Sequence, residues 1–105
     1  PAAGLDCSGL VSHVFHEVTG MVLPRNSRAM SKEGSAVEKN ELKPGDLVFF
    51  NTLRRPFSHV GIYIGEDRFV HAPRSGREVE VSELRDSYWK KRFNGARRLL
   101  PFHLR

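Results

Sequence analysis

The chain has one cysteine in 105 residues. An intramolecular disulfide is therefore excluded, and the fold must stand on its own core. A structural zinc site built from several thiolates is excluded for the same reason. Long apolar runs are also missing: none approaches the roughly 20 residues that a membrane-spanning helix needs. The opening residues Pro1-Ala2-Ala3-Gly4-Leu5 carry no signal-peptide or lipidation pattern, so an export signal would lie upstream of them. Internal repeats, low-complexity tracts and domain linkers are lacking too.

What is present suits a single folded domain over residues 1–105. Hydrophobic residues make up 39% and charged residues 28%, an ordinary globular balance that argues against disorder. The net charge is +5. A basic surface favours anionic partners such as nucleic acid, anionic lipid or an acidic wall polymer. The basic residues are dispersed, apart from Lys90-Lys91-Arg92 and Arg97-Arg98. They do not interleave with aromatics in a nucleic-acid-binding motif, so no nucleic-acid partner is expected.

Leu10, Val11, Val14, Phe15 and Val18 recur at helical spacing, with Gly20 as a stop signal. The spacing predicts a helix over Cys7–Thr19, with Asp6 as its N-cap. A short helix is expected over Ser27–Lys32, capped by Asn26 or Ser27, and a polar loop over Gly34–Leu42. Strands are expected at Asp46–Phe50, His59–Ile64, Arg68–Ala72, Glu78–Val81 and Ala96–Leu100, with an exposed loop over Asn51–Phe57. A last short helix through Tyr88, Trp89 and Phe93 would start at Ser82 or Ser87. Helices followed by a run of antiparallel strands predict an α+β fold, with a helix packed on one face of the sheet.

Cys7 falls in the first turn of the first helix. The N–H groups there lack intrahelical partners and the helix dipole is positive, so both favour a thiolate. The same N–H groups could hold the oxyanion of an acyl-transfer intermediate. A nucleophilic cysteine needs a base, and the base needs an orienting partner. His13 and His16 lie too far along the helix, and His103 in the C-terminal tail has no assigned role. His59 and His71 remain, on the two strands of a predicted hairpin. A three-residue loop Gly65-Glu66-Asp67 would set Ile64 opposite Arg68, Ile62 opposite Val70 and Gly61 opposite His71. The two histidines would then share a face, with Cβ atoms roughly 7–8 Å apart. Val60, Ile62, Val70 and Ala72 would form the apolar face. A two-residue loop would break that separation. Two half-exposed strand histidines without a role are the plainer alternative. Zinc held by Cys7, His59 and His71 is another, weakened by the absence of a close ligand pair. Neither a metal nor a cofactor is expected.

These residues fall into recognisable segments. Leu5-Asp6-Cys7-Ser8-Gly9-Leu10-Val11 resembles the nucleophile motif of the NlpC family (the NlpC/p-sixty superfamily). Leu42-Lys43-Pro44-Gly45-Asp46-Leu47-Val48-Phe49-Phe50 is similar to that family's following strand. Ser58-His59-Val60-Gly61-Ile62-Tyr63-Ile64-Gly65 and Phe69-Val70-His71-Ala72 resemble its two histidine motifs. Tyr88 to Phe93 with Ala96-Arg97-Arg98 is most similar to the Gram-negative lipoprotein members, the Spr and NlpC type. The resemblance runs from Leu5 to about Leu100.

The resemblance implies a papain-like fold, with Cys7 as nucleophile, His59 as general base and His71 orienting His59. It implies that Asp6 and Ser8 help shape the substrate site. The implied activity is cysteine endopeptidase cleavage of bacterial wall peptide, between D-glutamate and diaminopimelate or between D-alanine and diaminopimelate. The implied setting is the periplasm or cell envelope, as a monomer, with outer-membrane attachment through a lipoprotein signal upstream. A non-catalytic wall-binding module of the same fold is the competing reading, and the presence of all three catalytic side chains argues against it. Family members also carry a Tyr-x-x-Gly-Gly type segment about a dozen residues before the cysteine. Only six residues precede Cys7 here, so one edge of the domain is expected to lack that tyrosine.

Overall fold

A computed structural model describes residues 6–52, 54–72 and 79–99. Helix α1 spans Cys7–Thr19 and α2 spans Ser27–Met30. Strand β1 (Ser35–Val37) and a 3-10 turn at Lys39–Glu41 precede β2 (Leu47–Phe50), β3 (His59–Gly65), β4 (Arg68–His71) and β5 (Glu80–Glu83). Helix α3 (Ser87–Arg92) leads into β6 (Phe93–Arg98). The strands form one antiparallel sheet in the order β1-β6-β2-β3-β4-β5. The fold is α+β, as expected.

Local chemistry accounts for the helix ends. The Asp6 carboxylate accepts the Gly9 N–H at 2.7 Å, which satisfies one orphan donor of α1. Gly20 ends the helix in the left-handed region, and its N–H returns to the His16 carbonyl. Asn26 caps α2 through the Ala29 N–H, and the helix stops at Met30, two residues short of the expected end. Asp86 caps α3. The last helix therefore starts at Ser87, and Ser82 belongs to β5.

Both faces of the sheet are covered. Leu47 and Phe49 of β2 and Val60 and Ile62 of β3 pack under α1 and α2 with Val11, Phe15, Leu23 and Met30. Val48, Phe50, Phe69, Leu84 and Ala96 pack on the other face, joined by Trp89 of α3 and Phe93. All four residues of β2 are fully buried because this strand is central and flanked on both faces. That burial explains why its sequence is continuously apolar rather than alternating.

Other segments differ from the sequence-based expectation, among them Phe93, expected in the last helix, which instead opens β6 three residues before the expected start at Ala96. The polar stretch Gly34–Leu42 holds β1 and a 3-10 turn rather than a plain loop. A three-residue strand is too short to show alternation, and its partner β6 lies some 60 residues away. The loop between β3 and β4 is a two-residue turn, Glu66-Asp67, with both residues in the left-handed region (φ 54° and 65°). That geometry matches the twist of paired strands. A bulge at Ile64 then sets Gly65 opposite Arg68 and restores Ile62 opposite Val70, the register expected from a three-residue loop. Expected ends at Glu78 and Leu100 lie outside the described residues.

One buried ionic contact ties the sheet to the loop before it. Asp46 is 2% exposed, accepts the Lys43 N–H at 2.9 Å, and receives Nε and Nη2 of Arg98 at 2.9 and 2.8 Å. Removing one partner of such a group leaves donors without acceptors. Asp46→Ala is expected to lower stability by about 2–4 kcal/mol, read as the urea unfolding midpoint. A change under about 0.5 kcal/mol would show that solvent replaces the carboxylate without loss.

Candidate active site

Cys7 begins α1, half-buried and packed against the core that contains Val11, Val60 and Ile62. Its sulfur faces the backbone N–H of Val60, the residue after His59, together with the N–H groups of Ser8 and Cys7 itself. These donors favour the thiolate. Burial opposes them and outweighs them, and the Asp6 carboxylate adds to the opposition, so the thiol is held above its ordinary value. This corrects the expectation of a depressed thiol: burial against the core outweighs the N–H donors at the helix start. No hydrogen bond joins Cys7 to His59 among the described residues.

The two strand histidines do come together. Nε2 of His59 lies 2.8 Å from Nδ1 of His71, with the rings nearly perpendicular. The register that gives this contact depends on Gly61. A Cβ there would stand 2.8 Å from the Phe69 ring, 2.9 Å from the Val70 carbonyl and 3.2 Å from the His71 Cβ. Only glycine lets β4 approach closely enough for the imidazoles to meet. Both histidines are buried, and Val60, Ile62 and Val70 fall on the opposite face, as expected.

Two partners were not anticipated from the sequence. Oγ of Ser82 on β5 lies 2.9 Å from Nε2 of His71. Trp89 stacks on His59, with centroids 5.4 Å apart, and meets His71 edge-on at 4.9 Å. The sequence predicts a helix through Trp89, but nothing in a single sequence says that this helix covers the histidines. Burial drives the histidine pKa values down to about 4, and for His71 the neighbouring His59 adds to the effect. Both rings are neutral at neutral pH.

The remaining residues separate plainly. Ser8 is buried, and its hydroxyl lies 3.0 Å from the Arg25 carbonyl and 3.3 Å from Asp6 Oδ1. It thereby ties the start of α1 to the segment entering α2. Asp6 is exposed, as are His13 and His16. His103 lies outside the described residues. Beside the site, Asn26, Ser27, Arg28, Arg55, Pro56, Phe57 and Ser58 line a cleft of about 370 Å³. Ser58 directly precedes His59. Among the described residues, no group of three or more His, Cys, Asp or Glu is arranged to hold a metal ion, and no helix is long and apolar enough to cross a membrane.

A thiol at a helix start, set against an antiparallel sheet that carries paired histidines, is the architecture of the papain-like cysteine peptidase class. The chain belongs to the NlpC/P60 family, whose model matches residues 1–98. It is 39% identical over 103 residues to murein DD-endopeptidase MepH of Escherichia coli K12, covering 95% of this chain and 38% of that protein. It is 44% identical over 97 residues to the E. coli K12 murein DD-endopeptidase MepS/murein LD-carboxypeptidase, covering 92% and 50%. It is also 44% identical over 99 residues to the gamma-DL-glutamyl hydrolase of Bacillus subtilis 168, covering 93% and 24%. The chain thus spans half or less of these relatives. Among solved structures, an NlpC/P60 family protein of Bacillus cereus superposes with a TM-score of 0.82 at 38% identity, covering 91% of this chain and 32% of that one. The peptidoglycan hydrolase RipB of Mycobacterium tuberculosis gives 0.76 at 32% identity, covering 92% and 46%.

The lowered histidine pKa values set a stability window. The unfolded chain takes up protons below about pH 6.5, whereas the folded chain refuses them until about pH 4. This contribution is complete above the unfolded value and is lost as pH falls through that interval. The urea midpoint should therefore drop steadily from about pH 6.5 to about pH 4, and less steeply in His71→Gln. Parallel slopes in parent and variant would rule out burial of a neutral His71.

Proposed function

We propose that this chain is a single catalytic domain of a peptidoglycan hydrolase, a cysteine endopeptidase acting on the peptide part of the bacterial wall. The observation that carries the reading is the juxtaposition of the only thiol, at the start of α1, with the strand that begins at His59, itself bonded to His71 at 2.8 Å. A wall-binding module without catalysis would have no use for a buried, mutually bonded histidine pair beside a cysteine.

In this reading a neutral His59 presents Nδ1 as general base. Substrate binding brings sulfur and ring into contact, consistent with catalytic hydrogen bonds that tighten only in the Michaelis complex. The thiol proton moves to His59 as sulfur attacks the scissile carbonyl carbon. N–H groups at the start of α1 face the developing oxyanion. The imidazolium returns the proton to the leaving amine, the C–N bond breaks and a thioester remains. Water, deprotonated by His59, then releases the acid and regenerates the thiol. Burial pushes the thiol up and the imidazole down, which favours thiol and neutral imidazole over thiolate and imidazolium as the resting pair.

His71 orients His59 through the 2.8 Å contact. Asp6 and Ser8 shape the substrate site, Asp6 from its exposed position and Ser8 by anchoring the segment that leads to the cleft. Arg28 and Arg55 in that cleft take part in no ion pair among the described residues, which suits a substrate rich in carboxylates. The scissile bond is an amide of diaminopimelate, joined to D-glutamate or D-alanine. The names of the similar proteins, murein DD-endopeptidase on one side and gamma-DL-glutamyl hydrolase on the other, support a D,D or a glutamyl bond as the class of amide cut. The domain works as a monomer in the periplasm or cell envelope, tethered to the outer membrane as a lipoprotein.

Cys7→Ala should abolish release of muropeptides from purified peptidoglycan, measured by mass spectrometry, without changing the fold. His59→Ala should cost about 10²–10⁴-fold. His71→Gln should retain measurable activity, since an amide oxygen can accept the same imidazole N–H, and His71→Ala should lose more. Wild-type release by Cys7→Ala would end the cysteine-peptidase reading.

The family's tyrosine-bearing segment gives a separate test of the domain assignment. Extending the chain by roughly a dozen to twenty native residues before Pro1 should raise the melting temperature, the turnover or both. Equal values for the two chains would show that residues 1–105 suffice.

A further inference from the structure

We propose that Ser82 is a positioning residue of this site: its hydroxyl is placed to receive the Nε2–H of His71 and thereby makes available the tautomers in which His59 offers an unprotonated Nδ1 to Cys7. The inference rests on the peptidase reading and goes beyond it, because it makes β5 part of the catalytic device.

His59, His71 and Ser82 form a three-membered hydrogen-bonded chain. His59 Nε2 and His71 Nδ1 are 2.8 Å apart, and His71 Nε2 and Ser82 Oγ are 2.9 Å apart. Two neutral imidazoles sharing one hydrogen bond allow two arrangements. In the forward arrangement His59 carries its proton on Nε2 and donates to His71. The proton of His71 then sits on Nε2 and must be received by Ser82. His59 Nδ1 is left with a lone pair, which is what a base needs. In the reverse arrangement His71 donates from Nδ1 to His59, the Ser82 hydroxyl donates to the bare His71 Nε2, and His59 carries its proton on Nδ1, where it cannot accept from a thiol.

Ser82 makes the forward arrangement affordable. His71 is fully buried, so an unreceived Nε2–H would be an orphaned donor in an apolar setting. Around His71, Phe69 and Trp89 offer ring contacts, not an acceptor for this N–H. Without the hydroxyl, the reverse arrangement leaves only an unfilled acceptor, which structures tolerate better than an unpaired buried N–H. The forward arrangement also survives the chemistry: after His59 takes the thiol proton, its Nε2–H still points at His71 and the other two members need not change. The titratable groups facing His71 are His59 on β3 and Glu80, which stands opposite His71 in the β4–β5 register.

The test compares Ser82→Ala with Ser82→Thr, which keeps a hydroxyl on a β-branched residue suited to a strand. Imidazole nitrogen shifts in ¹⁵N-labelled protein report the tautomers directly. The parent and Ser82→Thr should show His71 protonated at Nε2, and Ser82→Ala should shift His71 toward Nδ1–H. On wall peptide, Ser82→Ala should lower kcat about five- to tenfold with KM unchanged, and Ser82→Thr should restore it. Iodoacetamide labelling of Cys7 near neutral pH should slow in Ser82→Ala alone. An unchanged His71 tautomer in Ser82→Ala, or a Ser82→Thr as slow as Ser82→Ala, would overturn the proposal. The tautomer and alkylation measurements need no substrate. A parent protein inert on peptidoglycan would therefore count against the peptidase reading, while the same spectra would still decide the role of Ser82.

Discussion

The site depends on the pairing register of β3 with β4. A strand's side chains alternate with a period of two, so a slip of one residue would carry His71 to the face under α1 and leave His59 alone. Three features hold the register. The Glu66-Asp67 turn closes the hairpin, and the bulge at Ile64 corrects the count to place Ile62 opposite Val70. Gly61 removes the one side chain that would hold the strands apart where His71 must sit. The turn itself is pinned: Asp67 receives the Arg85 N–H at 3.0 Å and donates its own N–H to the Tyr63 hydroxyl at 2.9 Å. The hairpin is thereby tied to the chain leaving β5, the strand that carries Ser82.

Burial decides the electrostatics of the site. The two histidines are enclosed by Phe50, Phe69 and Trp89, which holds them neutral, and burial holds the thiol beside them above its ordinary value. The helix dipole and free N–H groups at the start of α1 act in the opposite direction and are weaker here, partly because Asp6 places a carboxylate at the same end. The same Asp6 is what starts the helix at Cys7. Capping and thiolate stabilisation thus compete at one residue, and the general-base route follows from the outcome.

Much of this was legible in the sequence. The bounds of α1, its cap at Asp6 and its stop at Gly20 follow from local hydrogen bonding and a 3.6-residue period, which are properties of neighbouring residues. The strands at 47–50, 59–65 and 68–71 were legible for the same reason. Cys7, His59 and His71 could be selected by type and by helix or strand position, and the shared face of the histidines follows from period-two geometry once the register is given.

The tertiary structure alone decided the rest, because it depends on residues brought together from distant parts of the chain. The turn is one residue shorter than the pattern predicts, with Gly65 rather than Ile64 opposite Arg68, and local patterning cannot detect this because the bulge restores the expected pairing from Ile62 and Val70 onward. The strand at Ser35–Val37 is defined by its pairing with β6, not by its own composition. Ser82 and Trp89 join the histidines only because β5 pairs with β4 and α3 folds back across the sheet. The thiol's raised pKa was equally invisible: the sequence supplies the helix start that favours a thiolate, but only packing supplies the burial that opposes it.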